Sequence, residues 1–265
     1  MAKLAINGAE LAIYEAGEGD PPFVFIHGWC CDHTFWQPQF EDIARDHRAV
    51  AIDWRGCGDS APVPPFDTTQ AADDVAEVIR QLELGPSLLI GHSLGGNAAL
   101  LVQDRHPDAV LGIVLGDSPL TSASGGGWPE TVRRIREAGS MSVMADYIET
   151  FFTENTPEDV REKVRTTMLG TPADVAAGML SNGEVFTQRM GELLRQADTK
   201  PFMAIWAEHP LGNPERLRDT LMFIRQEPIP GAGHFFQLEQ PAVTSALLRA
   251  FLDDVERDPR LRRRD

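Results

Sequence analysis

Cysteine is scarce and basic residues are outnumbered in this chain of 265 residues, and each shortage excludes a class of protein. The cysteines are Cys30, Cys31 and Cys57, of which the two adjacent ones are badly placed to pair with each other. We therefore expect no disulfide framework, which fits a reducing cytoplasm. With 24 Lys and Arg against 40 Asp and Glu, the net charge of −16 argues against a nucleic-acid partner or an anionic membrane surface.

Long apolar runs are also missing from the sequence. Residues 1–8 lack the apolar core of a secretory signal, and no run approaches the roughly 20 residues that a membrane-spanning helix needs. We expect a cytoplasmic protein, a monomer or a homodimer, whose partner is a small-molecule substrate. The length is enough for one large α/β domain.

Short apolar runs alternate with segments of helical period along the chain. The runs lie at 23–26, 50–52, 88–90, 113–115 and 203–205. Such runs are typical of strands buried on both faces, so the alternation predicts a mostly parallel sheet covered by helices on each side. Near the start, Asn7-Gly8 between two alternating segments predicts a β-hairpin.

The alternation breaks after Asp117 and returns at Phe202. The residues between them look helical, apart from a Ser/Gly-rich stretch at 122–127 that predicts a flexible loop. We predict a core domain over 1–117 and 201–265, with an inserted helical cap over 118–200. A few apolar cap residues should line a substrate pocket, since Met and aromatic side chains suit such sites. The candidates are Met141, Met144, Phe151, Phe152, Met168, Met179, Phe186 and Met190.

The most informative segment is Gly91-His92-Ser93-Leu94-Gly95, a G-x-S-x-G sequence. It follows the apolar run at 88–90 and precedes a helix-like segment, which is the strand–turn–helix setting of a nucleophile elbow. The flanking glycines leave room for a strained serine backbone whose hydroxyl is exposed at the start of the helix. Ser93 is therefore the predicted nucleophile, and it needs a nearby base and donors for an oxyanion.

His234 is the predicted base, because it lies in a glycine-rich loop near the end of the chain, in the order that this elbow type requires. The predicted oxyanion donors are two backbone N–H groups. One belongs to Leu94, beside the nucleophile, and the other to Trp29, in the loop after the run at 23–26. We expect His92 to be packed, whereas Trp29 and Trp36 are candidate pocket walls.

In this order and spacing, these motifs resemble those of the α/β-hydrolase family. The resemblance extends over nearly the whole chain and implies the α/β-hydrolase fold and a Ser–His pair, without specifying the substrate. It rests on His27-Gly28-Trp29, residues 53–60, residues 91–95, residues 231–234 and Glu239-Gln240-Pro241.

The third member of the triad departs from the usual pattern of that family. The family usually places its acid after the next-to-last strand, where this chain has Pro210 at the expected aspartate position and Glu208 two residues earlier. Proline cannot orient an imidazole. Some members take the acid from the end of the preceding strand, where the run at 113–115 leads to Asp117. We therefore expect Asp117 to be the acid, with Glu208 as the alternative.

The first functional hypothesis is a cofactor-free serine hydrolase. It would cleave small apolar or aromatic carboxylic esters, lactones or related acyl compounds through an acyl group on Ser93. The chain has no P-loop or dinucleotide fingerprint, and its Cys and His spacing matches no zinc pattern, so we expect neither a cofactor nor a metal.

Two other hypotheses remain open. Residues 28–33 and Trp54-Arg55-Gly56 are similar to the corresponding stretch of cofactor-free dioxygenases that cleave the ring of hydroxy-oxoquinolines. That resemblance implies a His234/Asp117 dyad, although Cys31 and Leu94 stand where those enzymes have histidines. A non-catalytic small-molecule binding protein is the third hypothesis, since the fold alone does not settle function.

Overall fold

The computed structural model describes residues 1–120 and 128–258. The predicted loop at 122–127 lies outside the described residues. Within them, the chain forms one sheet with helices packed against it. The strands are β1 Ala2–Ile6, β2 Ala9–Ala16, β3 Phe23–Ile26, β4 Ala49–Ile52, β5 Ser87–His92, β6 Val110–Gly116, β7 Phe202–Trp206 and β8 Arg225–Pro228.

The helices of the described residues follow in chain order. They are α1 Gln37–Ile43, α2 Thr68–Gln81, α3 Leu94–Arg105, α4 Trp128–Ala138, α5 Ala145–Glu149, α6 Glu158–Gly170, α7 Ala173–Met179, α8 Gly183–Ala197, α9 Pro214–Thr220, α10 Phe236–Glu239 and α11 Pro241–Arg257. Short 3₁₀ turns lie at His33–Trp36, Pro107–Ala109 and Met141–Met144.

The sheet has the order β1-β2-β4-β3-β5-β6-β7-β8. Strand β2 pairs antiparallel with both β1 and β4, and every later pairing is parallel. The predicted hairpin is present, since Asn7 and Gly8 have φ of 45° and 82° and join β1 to β2. The prediction of a mostly parallel sheet is confirmed.

Alternate residues of the central strands face opposite layers of core. In β3, Phe23 and Phe25 pack in a cluster with α1 and α11, whereas Val24 and Ile26 pack in a cluster with α2, α3 and α8. This is the two-residue period of a strand with both faces buried. It explains why the central strands consist of apolar residues throughout.

Two elements carry no apolar run and were not predicted. The sequence of β8 is Arg225-Gln226-Glu227-Pro228, and its residues are half-buried or exposed at the end of the sheet order. An edge strand is covered less than a central one, so it needs no continuous apolar sequence. Helix α9 follows Asn213, whose side chain accepts a hydrogen bond from the Arg216 N–H, and its buried side chain is Leu217.

Between β6 and β7, the regular elements of the described residues are helical. We call α4–α8 the cap helices. They agree with the prediction that this stretch is helical, while the assignment of 118–200 as a separate cap domain stays a prediction. Within the described part of the chain, no helix is both long enough and apolar enough to cross a membrane.

Candidate active site

Ser93 lies in a strained turn between β5 and α3. Its φ of 52° and ψ of −121° are rare for a residue other than glycine. Its N–H donates to Gly116 O at 2.7 Å. A Cβ at Gly91 would lie 2.4 Å from Gly95 O, and one at Gly95 would lie 2.3 Å from Ile26 O, so both positions need glycine. The turn is therefore a nucleophile elbow in its geometry as well as in its sequence.

His234 is joined to Asp117 by a buried hydrogen bond. His234 Nδ1 and Asp117 Oδ2 are 2.6 Å apart, and the side chains are 4% and 0% exposed. The other carboxylate oxygen of Asp117 accepts the Leu211 N–H at 3.1 Å. A carboxylate on Nδ1 fixes the tautomer and leaves Nε2 for proton transfer.

Ser93 Oγ and His234 Nε2 have no hydrogen-bond partner among the described residues, although both residues line one cavity. In unliganded enzymes the bond between a nucleophile and its base is often long, and it tightens when substrate binds. The arrangement is therefore compatible with proton transfer from Ser93 to His234.

Glu208, the alternative acid, is placed elsewhere. Its side chain is exposed, and Oε2 accepts the Gly231 N–H at 2.8 Å. Its own N–H donates to Ala232 O at 2.9 Å. Of the two carboxylates considered, the structure brings Asp117 to the imidazole, while Glu208 supports the backbone of the loop that carries His234.

His92 links the elbow to the loop of the base. Its ring is buried, and Nε2 lies 2.8 Å from His234 O, so Nε2 carries the proton and donates it. Burial lowers the pKa of His92 well below its ordinary value, and the neighbouring His234 lowers it further. His92 is thus a neutral, packed side chain, as expected, and it also fixes the carbonyl of His234.

Trp29 and Leu94 both line the cavity beside Ser93. Neither backbone N–H has an acceptor among the described residues. Buried backbone donors are rarely left without a partner, so two such groups beside a nucleophile suit an oxyanion hole. The indole of Trp29 donates from Nε1 to Ala176 O at 2.8 Å and so ties this loop to α7.

The cavity is small and its lining is largely apolar. Its volume is about 110 Å³, somewhat below the roughly 150 Å³ of an engineered cavity that binds benzene. No Asp, Glu, Lys or Arg side chain is among the described residues that line it. Beyond the residues already discussed, the walls are formed by Gly28, Cys31, Pro119, Trp128, Thr131, Tyr147, Phe151, Met168, Leu180 and Phe235.

Cys31 is another potential nucleophile in the cavity wall. Burial raises the pKa of its thiol well above the ordinary value, and the nearby Asp32 raises it further. Only a thiolate is strongly nucleophilic, so Cys31 stays an unreactive thiol. The nucleophile that the geometry favours is therefore Ser93.

Sequence reasoning identified part of the cavity wall. Of the apolar cap candidates, Phe151 and Met168 line the cavity, and the remaining ones pack in the core or against it. Trp29 lines it too, whereas Trp36 is fully buried in the core. Trp128 and Tyr147 were missed, because a wall residue has no characteristic spacing in the sequence.

The comparisons with known proteins agree with this fold. A profile of the α/β hydrolase family matches residues 23–247, so the chain belongs to that family. Among curated proteins, it is similar to a putative 2-succinyl-6-hydroxy-2,4-cyclohexadiene-1-carboxylate synthase of Bacillus subtilis (strain 168). The two are 25% identical over an alignment 268 residues long, and the alignment covers 94% of this chain and 97% of the relative.

Two solved structures illustrate the shared fold. A thermophilic esterase from Thermogutta terrifontis has a TM-score of 0.84 at 25% identity, and the match covers 96% of this chain and 98% of that one. The enol-lactonase from Burkholderia xenovorans LB400 has a TM-score of 0.83 at 22% identity, with 95% of this chain and 100% of that one covered. The second likeness shows the fold alone.

The placement of the two carboxylates predicts opposite outcomes for two similar substitutions. Asp117→Asn should lower kcat on a chromogenic ester about ten-thousand-fold, because an amide favours the wrong imidazole tautomer. Glu208→Gln should cost less than about tenfold, since an amide oxygen can still accept the Gly231 N–H. If Glu208→Gln lost most of its kcat while Asp117→Asn kept it, the acid would have been misassigned.

Proposed function

We propose that this protein is a cofactor-free serine hydrolase of small, uncharged carboxylic esters or lactones. The observation that carries the proposal is a single apolar cavity lined by Ser93, His234, Trp29 and Leu94. The esterase of the same fold, at 25% identity, supports the ester class, of which lactones are the cyclic members.

Each group has a role in acyl transfer. Ser93 Oγ attacks the substrate carbonyl while His234 Nε2 takes its proton, and Asp117 stabilises the resulting imidazolium. The N–H groups of Trp29 and Leu94 donate to the oxyanion of the tetrahedral intermediate. His234 then protonates the leaving alcohol, and water hydrolyses the acyl-Ser93 with His234 again acting as base.

The lining indicates an uncharged substrate. A carboxylate buried without a cationic partner is strongly disfavoured, and the described cavity wall offers no Lys or Arg. The compound in the name of the Bacillus subtilis relative carries a carboxylate. We therefore favour neutral esters over carboxylate-bearing compounds of this kind as the substrate class.

A series of p-nitrophenyl esters tests the substrate class. The value of kcat/KM should rise from acetate to butyrate by about fourfold per methylene, which corresponds to about 0.8 kcal/mol of apolar burial. It should fall for long chains that exceed the cavity. The hemisuccinate, which places a carboxylate at the end of a chain of the same length as butyrate, should react at least about 100-fold more slowly than butyrate. Equal rates for these two would contradict an uncharged site.

Two alanine variants distinguish the hydrolase from the dioxygenase. In a serine hydrolase the nucleophile and its base act as one unit, so Ser93→Ala and His234→Ala should each lower kcat roughly a millionfold. A dioxygenase would lose its activity with His234→Ala, keep much of it with Ser93→Ala, and consume oxygen with a hydroxy-oxoquinoline. We expect equal losses on the ester and no oxygen uptake. Retention of most activity in Ser93→Ala would contradict the hydrolase.

A further inference from the structure

We propose that Thr153 and Thr156, which lie outside the cavity, are positioning residues for His234. The proposal rests on the function proposed above, since it assigns His234 the role of base. Both threonines belong to residues 151–156, here called the clamp segment, which connects α5 to α6 in the cap.

The clamp segment touches the base directly. The His234 N–H donates to Phe151 O at 2.8 Å, and the rings of Phe151 and His234 are 4.5 Å apart at 30°. At Gly233 a Cβ would lie 2.5 Å from Phe151 O, so the two backbones are in close contact. The orientation of the imidazole therefore depends on where the clamp segment lies.

Thr156 connects the clamp segment to the loop of the base through a carboxylate. Its hydroxyl donates to Glu239 Oε2 at 3.0 Å and accepts the Thr153 N–H at 2.9 Å. The same Glu239 oxygen accepts the Gly233 N–H at 2.9 Å. Thr156 is 5% exposed, so no water competes freely for these bonds. Without this hydroxyl, the carboxylate loses one of the two donors that orient it.

Thr153 makes a second connection to the same loop. Its hydroxyl donates to Gly231 O at 3.1 Å. Together the two threonines fix the residues immediately before His234. Thr153 bonds directly to a carbonyl of that loop, and Thr156 is linked to an N–H of the loop through Glu239. Neither threonine nor Glu239 is among the described residues that line the cavity, so they act on the base and not on the substrate.

Arg161 holds the clamp segment from its outer side. Its guanidinium donates from Nε to Thr156 O at 3.0 Å and from Nη2 to Thr153 O. The guanidinium carbon lies 5.0 Å from the centre of the Phe152 ring. The clamp segment is thus fixed to α6 independently of any substrate, as a positioning element must be.

Isosteric variants test the proposal. Thr156→Val keeps the side-chain shape and removes the hydroxyl, so kcat on the butyrate ester should fall at least about tenfold while KM stays within about twofold. Thr156→Ser, which restores the hydroxyl, should return kcat to within about twofold of the parent. Thr153→Val should lower kcat by a smaller factor, again without changing KM. Thr150→Val is the control, since its hydroxyl bonds to Tyr147 O within its own helical turn, and its kcat should match the parent.

A spectroscopic signal separates positioning from a purely structural role. The proton between His234 Nδ1 and Asp117 should give a low-field NMR resonance in the parent and in Thr156→Ser, and it should be broadened or lost in Thr156→Val. If Thr156→Val is less stable but keeps both this resonance and its kcat well below the unfolding temperature, the proposal is wrong. If Thr156→Val does not fold, an unchanged kcat and resonance in Thr153→Val overturn it.

The resonance does not depend on ester turnover, so it also separates this proposal from the proposed function. A parent that hydrolyses no ester but loses the resonance in Thr156→Val would refute the hydrolase and support the positioning of His234. Normal hydrolysis with an unaltered resonance in both valine variants would support the hydrolase and refute the positioning of His234.

Discussion

The parallel pairing of β3, β5, β6, β7 and β8 decides where the functional groups of this protein lie. Parallel strands bring their carboxyl ends to one edge of the sheet, so the loops that follow them meet there. Trp29 follows β3, Ser93 follows β5, Asp117 follows β6 and His234 lies beyond β8. Residues from four distant parts of the chain thereby meet at one site, where Trp29, Ser93 and His234 line the cavity and Asp117 lies behind His234.

The cap helices do more than form a wall of the cavity. The indole of Trp29 donates to Ala176 O in α7, and the ammonium of Lys163 in α6 donates to Thr34 O at 3.0 Å, so the loop after β3 is attached to the cap. The loop that carries His234 is attached to the clamp segment, which connects α5 to α6. Both loops of the candidate site are therefore held by the same group of helices, which favours a site organised before substrate arrives.

Much of the fold follows from sequence because burial on both faces of a sheet requires uninterrupted apolar strands, as in Phe23–Ile26. The same rule fails for Arg225–Pro228, which is a half-covered edge strand with polar residues. Ser93 and His234 could be proposed as nucleophile and base because the strained elbow and the glycine-rich loop impose residue types at fixed spacing.

Other parts of the site depend on tertiary contacts that no local pattern reveals. The choice between Asp117 and Glu208 depends on which loop approaches the imidazole. The connection from Thr156 through Glu239 to Gly233 joins residues more than 70 positions apart. Such contacts are fixed by the packing of the cap on the sheet, so a single sequence gives no signal for them.

Ser93, as proposed, is an activated nucleophile in an apolar, uncharged site. Mass spectrometry after treatment with a small fluorophosphonate tests it most directly, because the reagent reacts only with a serine that a base has activated. We expect one adduct, on the peptide that contains Ser93, and its loss in the His234→Ala variant. Failure of the folded protein to form an adduct, or an adduct on a different residue, would contradict the account.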